Sequence, residues 1–155
     1  MIEKPGLNVN WLVLGATLLL PACEALPVDP ENTSQKIVRD RQFTVGLVAG
    51  TTQERMVEQL LGEVAKRTHA RPRVVSGATE ILLQGVSKGK LDLVIGEFTK
   101  NSPWQTDVAF GPPLRSSGLK SDPLELKAAM RNGENRWIML VERASRAVSA
   151  EARSQ

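Results

Sequence analysis

Three apolar segments alternate with two helical segments between residues 43 and 96, and this order constrains the fold more than any other feature. The apolar segments are rich in Val, Leu and Ile, and each ends at or just before a glycine, as strands do. They are 43–48, 73–76 and 91–96. Because the connections are short, this order predicts right-handed crossovers and a mostly parallel sheet in the strand order 2-1-3. The fold class that follows is α/β, a single doubly wound lobe with helices on both faces.

The two helices are predicted from apolar spacing and from capping residues. In the first helix, 52–68, one face carries Val57, Leu60, Leu61, Val64 and Thr68. Thr51 and Glu54 have the spacing of a capping box at its start. Ser76 or Thr79 can cap the second helix. The residues of that helix predicted to face inward are Ile81, Leu82 and Val86.

The remainder of the chain is less regular. Residues 97–123 contain four prolines, and 107–110 is predicted to be a short edge strand. Segment 124–130 allows two interpretations, since its Asp-Pro start favours a helix whereas its apolar residues alternate as in a return strand. These are Leu124, Leu126, Ala128 and Met130. A last helix is predicted from Glu134, with an apolar stripe of Trp137, Leu140, Val141, Ala144 and Val148.

Cys23 is the only cysteine, and it follows an apolar run at 11–20 that Pro21 and Ala22 close. A short charged start, an apolar stretch and a small residue are typical of a secretory signal peptide. The run is about half of the roughly 20 residues that a spanning helix needs, which makes an uncleaved anchor the weaker alternative. We therefore predict a signal peptide at 1–22, a tether at 23–42, the lobe at 43–149 and a disordered tail at 150–155.

Composition excludes several classes of function. The net charge is only +3, and the basic residues are interspersed with acidic ones. No basic stripe with stacking aromatics is present in the sequence, so nucleic-acid binding is not expected. His69 is the only histidine, in a polar connector, so no metal site is predicted. Residues 85–90 resemble a phosphate-binding loop but lack the required spacing and hydroxyl. We predict no catalytic residues and no cofactor, and therefore no enzyme.

The residues around Cys23 resemble a known processing signal. Leu20-Pro21-Ala22-Cys23 is similar to the lipobox of bacterial lipoproteins. This resemblance implies that Cys23 carries acyl chains such as palmitate and becomes the first mature residue. It also implies a location in the cell envelope, anchored by lipid on the periplasmic side. Glu24, rather than Asp, after the cysteine favours the outer membrane if the cell has one.

The succession of elements resembles a family. Segments 43–47, 52–68 and 80–96 are similar to the first lobe of type II periplasmic solute-binding proteins, closest to the amino-acid receptors of ABC importers. Segment 107–114 resembles the chain that crosses to their second lobe, and 126–146 resembles the return strand and closing helix. The resemblance covers roughly 36–148, and it implies binding of a small polar solute and a membrane permease as partner.

Two departures from that family stand out. A short Ser/Gly/Lys connector at 115–121 occupies the place of an entire second lobe. The turn 96–104 also lacks the Arg with which amino-acid receptors hold the substrate carboxylate. Lys100 can supply a charge there but not a bidentate fork.

Ligands of doubly wound sheets bind beyond the carboxyl ends of the strands. The predicted ligand-binding residues at those ends are Thr51, Thr52, Ser76, Gly77, Glu97, Thr99, Lys100 and Trp104. Helix amino termini at the same edge are a modest anion-binding feature, although Thr51 and Thr79 are more simply explained as caps. Trp104 is either an aromatic residue of the cleft or a lid over the sheet edge.

Two functions follow from these features. The first is an exported, lipid-anchored solute-binding-like protein that is an accessory of a membrane transport system. The alternative is an interaction or scaffold lipoprotein that keeps the fold but binds a protein partner. An exposed surface carrying Phe98, Trp104 and Leu114 would favour the alternative.

Overall fold

The computed structural model describes residues 1–2, 27–52 and 54–155, with only the backbone of Glu54. The helices are α1 Thr33–Asp40, α2 Glu54–Thr68, α3 Thr79–Ser87, α4 Asn135–Val148 and α5 Ala150–Arg153. The strands are β1 Gln42–Val48, β2 Arg71–Gly77, β3 Leu93–Thr99, β4 Val108–Phe110, β5 Arg115–Leu119 and β6 Asp122–Arg131. A 3₁₀ turn at Pro103–Thr106 precedes β4.

The strands form one mixed sheet in the order β2-β1-β3-β6-β4, and β5 also pairs with β6. β1 lies parallel to both β2 and β3, so the predicted order 2-1-3 is confirmed. β6 is the return strand and runs antiparallel to β3, β4 and β5. The ambiguous segment 124–130 is therefore a strand, and its alternating residues Leu126, Ala128 and Met130 face the larger core.

Helices cover both faces of the sheet, as predicted. The larger core lies under α1, α2 and α4. The five residues predicted for the inner face of α2 are all buried, and four of them, all but Thr68, belong to this core. The smaller core lies under α3. In α3 two predictions were wrong: Ile81 is 71% exposed while Leu83 is buried, and the N-cap is Ala78, with no side-chain cap, rather than Thr79 or Ser76. The helix is rotated because its contact with the sheet is made by three side chains, Leu82, Leu83 and Val86.

Trp137 joins the last helix to the sheet. Its ring is fully buried and meets Phe43 edge to face, with ring centroids 6.1 Å apart. Its Nε1 donates to the backbone oxygen of Asp92 at 2.6 Å. The Asp92 carboxylate in turn accepts from the backbone N–H of Thr44 at 2.7 Å. Burial raises the pKa of the Asp92 carboxyl, and the Thr44 hydrogen bond opposes that shift.

The range predicted to be a tether is in part folded onto the domain. Ile37 of α1 is buried in the larger core. The buried Glu134 carboxylate accepts from the backbone N–H groups of Glu31 and Thr33, at 2.9 and 3.1 Å. The Asp29 carboxylate accepts from the backbone N–H of Trp137 at 3.0 Å. These contacts satisfy the free donors at two helix starts, so the folded unit includes the chain from Pro27 onward.

The last residues are ordered rather than a disordered tail. Ala152 of α5 is fully buried, and the Ser149 hydroxyl donates to the backbone oxygen of Leu114 at 2.7 Å. Glu151 accepts from both the N–H and the hydroxyl of Ser116. α5 is therefore fastened to β5. The connector 115–121 is likewise not irregular, since it forms β5 and the turn into β6.

Some predictions fall outside the described residues. They include the signal peptide, Cys23 and the first residues of the tether, within 3–26. The Glu54 half of the capping box is also outside, and the Thr51 hydroxyl donates to the Val48 backbone oxygen at 2.7 Å instead of acting as an acceptor. Within the described ranges, every helix is too short or too polar to cross a bilayer.

Replacing Trp137 by Ala tests the docking of α4. We expect the free energy of unfolding to fall by about 3–5 kcal/mol, because the change leaves a cavity and an unpaired Asp92 carbonyl. Met139→Ala, on the same helix but 37% exposed, is the control and should cost less than about 1 kcal/mol. Chemical denaturation measures both. A loss below about 1 kcal/mol for Trp137→Ala would show that α4 is not docked as described.

Candidate ligand site at the carboxyl edge of the sheet

The parallel strands bring their carboxyl ends to one edge. β1 and β2 are in register to their last residues, Val48 and Gly77, and the Ala49 N–H donates to the Gly77 oxygen at 3.0 Å. β1 and β3 approach closely at Gly96, where a Cβ would lie 2.5 Å from a methyl carbon of Val48. Glycine is required at this point, and it sets the distance between the loops that follow the two strands.

One polar pair links these loops. The Thr52 hydroxyl, after β1, donates to Glu97 Oε1, on β3, at 3.3 Å. Glu97 is half-buried, and α2 begins two residues after Thr52. The sequence pattern placed both residues at this edge, and the structure brings them together. The pair puts a carboxylate where the helix termini alone had indicated an anion site, so the edge is suited to a cationic or hydrogen-bond-donating group.

Four of the other predicted residues lie at the ends of β2 and β3. Ser76 lies exposed on the edge strand β2, and Gly77 is half-buried at its end. Thr99 and Lys100 are exposed at the end of β3. The backbone of Lys100 is held by a hydrogen bond from its N–H to the Pro123 oxygen, at 3.3 Å. The loop is thereby fixed, while the Lys100 ammonium is presented to solvent.

Thr51 lines a small pocket beside the edge. The pocket, of about 260 Å³, lies between β1, β2 and α2. Its walls are mainly aliphatic, with Val45, Leu47, Leu61 and Val74 among them, and Glu58 is also present. An aliphatic portion of a solute held at Glu97 could occupy such a pocket.

Trp104 packs as a cover rather than standing free in a cleft. Its side chain is half-buried against the smaller core, and its backbone N–H donates to the Ser102 hydroxyl at 3.4 Å. Phe98 and Leu114 are 4% and 1% exposed. The apolar surface that would have favoured a protein-binding role is therefore largely inside the protein.

A buried charged pair was missed by the sequence analysis. Lys127 Nζ lies 2.8 Å from Glu125 Oε2 and 4.6 Å from the centre of the Phe110 ring, and both charged side chains are almost fully buried. The ammonium also lies 3.4 Å from the Thr99 oxygen, at the end of β3. The signal was present, because a strand with Leu124 and Leu126 on one face must turn Glu125 and Lys127 to the other.

This pair stabilises the loop that carries Thr99 and Lys100. An ammonium between a carboxylate, a backbone oxygen and an aromatic face has most of its interactions satisfied within the protein. The pocket of about 250 Å³ beside it is lined by Gln105, Phe110 and Lys127, among others. Among the described residues, no group of His, Cys, Asp and Glu is arranged to hold a metal ion.

Comparison with known proteins identifies the fold. No protein-family model and no curated protein matches the sequence. The arginine-bound form of domain 1 of ArgBP from T. maritima matches 72% of this chain and 97% of its own, with a TM-score of 0.61 and 20% identity. The ancestral amino acid-binding protein AncCDT-1 matches 74% of this chain and 92% of its own, with a TM-score of 0.62 and 12% identity.

Another solved structure gives a similar result. The VFT2 domain of BvgS from Bordetella pertussis matches 83% of this chain and 97% of its own, with a TM-score of 0.61 and 11% identity. At these identities the likeness is one of fold. The chain is a single α/β domain with the fold of a solute-binding lobe.

The Lys127–Glu125 pair can be tested by a double-mutant cycle. Lys127→Met should lower the free energy of unfolding by about 3–5 kcal/mol, because it leaves Glu125 buried and unpaired. Lys127→Met combined with Glu125→Leu should recover most of that loss. Arg146→Met, in the more exposed Arg146–Glu142 pair, is the control and should cost at most about 1 kcal/mol. Additive losses in the cycle would contradict a coupled pair.

Proposed function

We propose that this chain is an exported, lipid-anchored solute-binding-like protein that serves a membrane transport system. The observation that carries the proposal is the Thr52–Glu97 pair at the carboxyl edge of the sheet, in a fold shared with domain 1 of ArgBP. That domain has an arginine-bound form on its own, which supports ligand capture by a single lobe. The cell envelope, on the periplasmic side, is the corresponding location.

The chemistry of the edge favours a small zwitterionic or cationic solute. Glu97 would accept hydrogen bonds from an ammonium or guanidinium group, with Thr52 holding the carboxylate in place. Lys100 would attract a solute carboxylate, although without the two parallel hydrogen bonds that an arginine provides. An aliphatic portion could enter the pocket beside Thr51. We assign binding rather than catalysis to these groups, and no cofactor.

The site is open, and this determines its strength. A two-lobed receptor encloses its ligand and excludes water, whereas a single lobe supplies about half of those contacts. Binding of a free solute should therefore be weak. The delivery partner, a membrane permease, or a second subunit would complete the enclosure.

Lipid anchoring is tested at Cys23. Expressed in its own host, the chain should partition with membranes, and its intact mass should show acylation at Cys23. Cys23→Ser should leave it unprocessed or release it to the soluble fraction, whereas Ala25→Ser, two residues later, should have no effect. A soluble cytoplasmic product with an unmodified Met1 would contradict the anchoring.

Solute capture is tested by fluorescence of Trp104, with L-arginine, L-lysine and L-glutamate as probes. We expect a dissociation constant of roughly 1 mM for the cationic probes, about −4 kcal/mol. Trp104→Phe should remove the signal. Glu97→Gln should weaken binding roughly tenfold, the effect of losing one charge-assisted hydrogen bond. Glu80→Gln, an exposed carboxylate on α3, is the control.

One outcome would contradict the capture proposal and another the expected weak affinity. If none of the probes gives a saturable signal, the edge is not a solute site. Micromolar binding by a proven monomer would instead show that a single lobe encloses its ligand, against the weak binding expected here.

A further inference from the structure

Four arginines from three helices surround two neighbouring pockets on the side of the domain where the folded chain begins. The first pocket, of about 410 Å³, is lined by Pro27, Arg67, Arg136, Met139, Leu140 and Arg143. The second, also about 410 Å³, shares Arg136 and Leu140 with it and adds Val38 and Arg39. We call this surface the arginine face, and its members are Arg39, Arg67, Arg136, Arg143, Val38 and Met139.

The arginine face carries net positive charge. Arg67 pairs with Glu63 at 2.7 Å, and Arg39 pairs with Asp40 at 2.8 Å. Arg136 donates only to a backbone oxygen, that of Pro27, and among the described residues neither Arg136 nor Arg143 forms an ion pair. Two carboxylates against four guanidinium groups leave two positive charges on this surface.

The same surface exposes apolar side chains between the charges. Val38 is 57% exposed and Met139 is 37% exposed. Ser34 lines the second pocket, and its buried hydroxyl has no hydrogen-bond partner among the described residues. Arginines for phosphate groups, together with apolar side chains for the acyl boundary, are the composition of a surface that rests on a bilayer.

The position of the face relative to Cys23 indicates what covers it. Pro27 lines the first pocket, and its carbonyl is bound to Arg136. Pro27 follows Cys23 by four positions, and this stretch spans at most about 14 Å even when fully extended. An acylated Cys23 therefore keeps the arginine face close to the headgroups, where the field of anionic lipids acts over about one Debye length, roughly 8 Å.

We propose that the arginine face docks on an anionic phospholipid surface and orients the domain on the membrane. The inference rests on the anchoring proposed above. Arg67 lies in the last turn of α2, whereas the candidate ligand edge precedes its first turn, about 22 Å away along 15 residues of helix. Docking would thus hold the ligand edge at the far end of the domain from the bilayer contact.

The test uses the full chain with vesicles of phosphatidylcholine alone or mixed with phosphatidylglycerol. Flotation measures attachment, and a polarity-sensitive dye on Met139→Cys measures contact of the arginine face. The chain without an added cysteine reports any labelling of Cys23. Dye on Ile81→Cys, exposed on the opposite layer, is the position control. We expect the Met139→Cys emission to shift with anionic vesicles only, and high salt to reverse the shift.

Charge removal gives the matched variants. Arg136→Gln with Arg143→Gln should weaken the dye response to anionic lipid, roughly fivefold for each charge removed. Arg71→Gln with Arg73→Gln, two exposed arginines on β2, removes the same charge from another face and should change it little. Circular dichroism confirms that both variants are folded.

Each outcome decides the proposal. Attachment to both kinds of vesicle without a Met139→Cys response overturns the docking while the anchoring stands. Arginine-dependent attachment to anionic vesicles alone supports the docking although the anchoring fails, and attachment to neither overturns both. If inorganic phosphate alone reproduces the dye response and abolishes the vesicle effect, the face is an anion site and the docking is overturned.

Discussion

The pairing of β6 on both of its edges is the constraint on which the rest of the structure depends. This strand pairs with β3 along one edge and with both β4 and β5 along the other. One of its faces packs into the larger core and the opposite face into the smaller core. Because Lys120 and Ser121 alone join β5 to β6, the chain returns to the sheet without a second lobe. β5 then pairs with the first half of β6, which would otherwise be an unpaired edge open to association.

This arrangement explains both the openness of the ligand edge and its rigidity. Two hydrogen bonds hold the loop that carries Thr99 and Lys100. The Lys127 ammonium donates to the Thr99 oxygen, and the Lys100 N–H donates to the Pro123 oxygen. Little ordering of this loop would therefore be needed on binding. What it lacks is a second wall, so a partner that covers the edge would both raise affinity and receive the solute. With the anchoring and docking proposed above, that edge would face such a partner in a defined direction.

The sequence predicted the buried residues best in elements that pack on a core with one face only. The period of α2 identified all five of its buried residues, because one stripe packs on one core. Periodicity did not identify the buried face of α3, a short helix with apolar residues at 81, 82, 83 and 86. A rotation by one residue exchanges Ile81 for Leu83, and only contact with the sheet selects between them. It also failed at Glu125 and Lys127, since charged residues on a strand suggest a solvated face unless the covering elements are known.

The amino-acid sequence by itself determined the α/β class, the strand order 2-1-3 and which loops follow the parallel strands at their carboxyl edge, because these follow from local periodicity and the handedness of crossovers. The tertiary structure alone decided that 124–130 is a strand, that the segment from Pro27 and the last residues are docked, and that Thr52 meets Glu97. Each of these depends on contacts between residues tens of positions apart, such as Glu134 with Glu31 and Ser149 with Leu114, which no local pattern encodes.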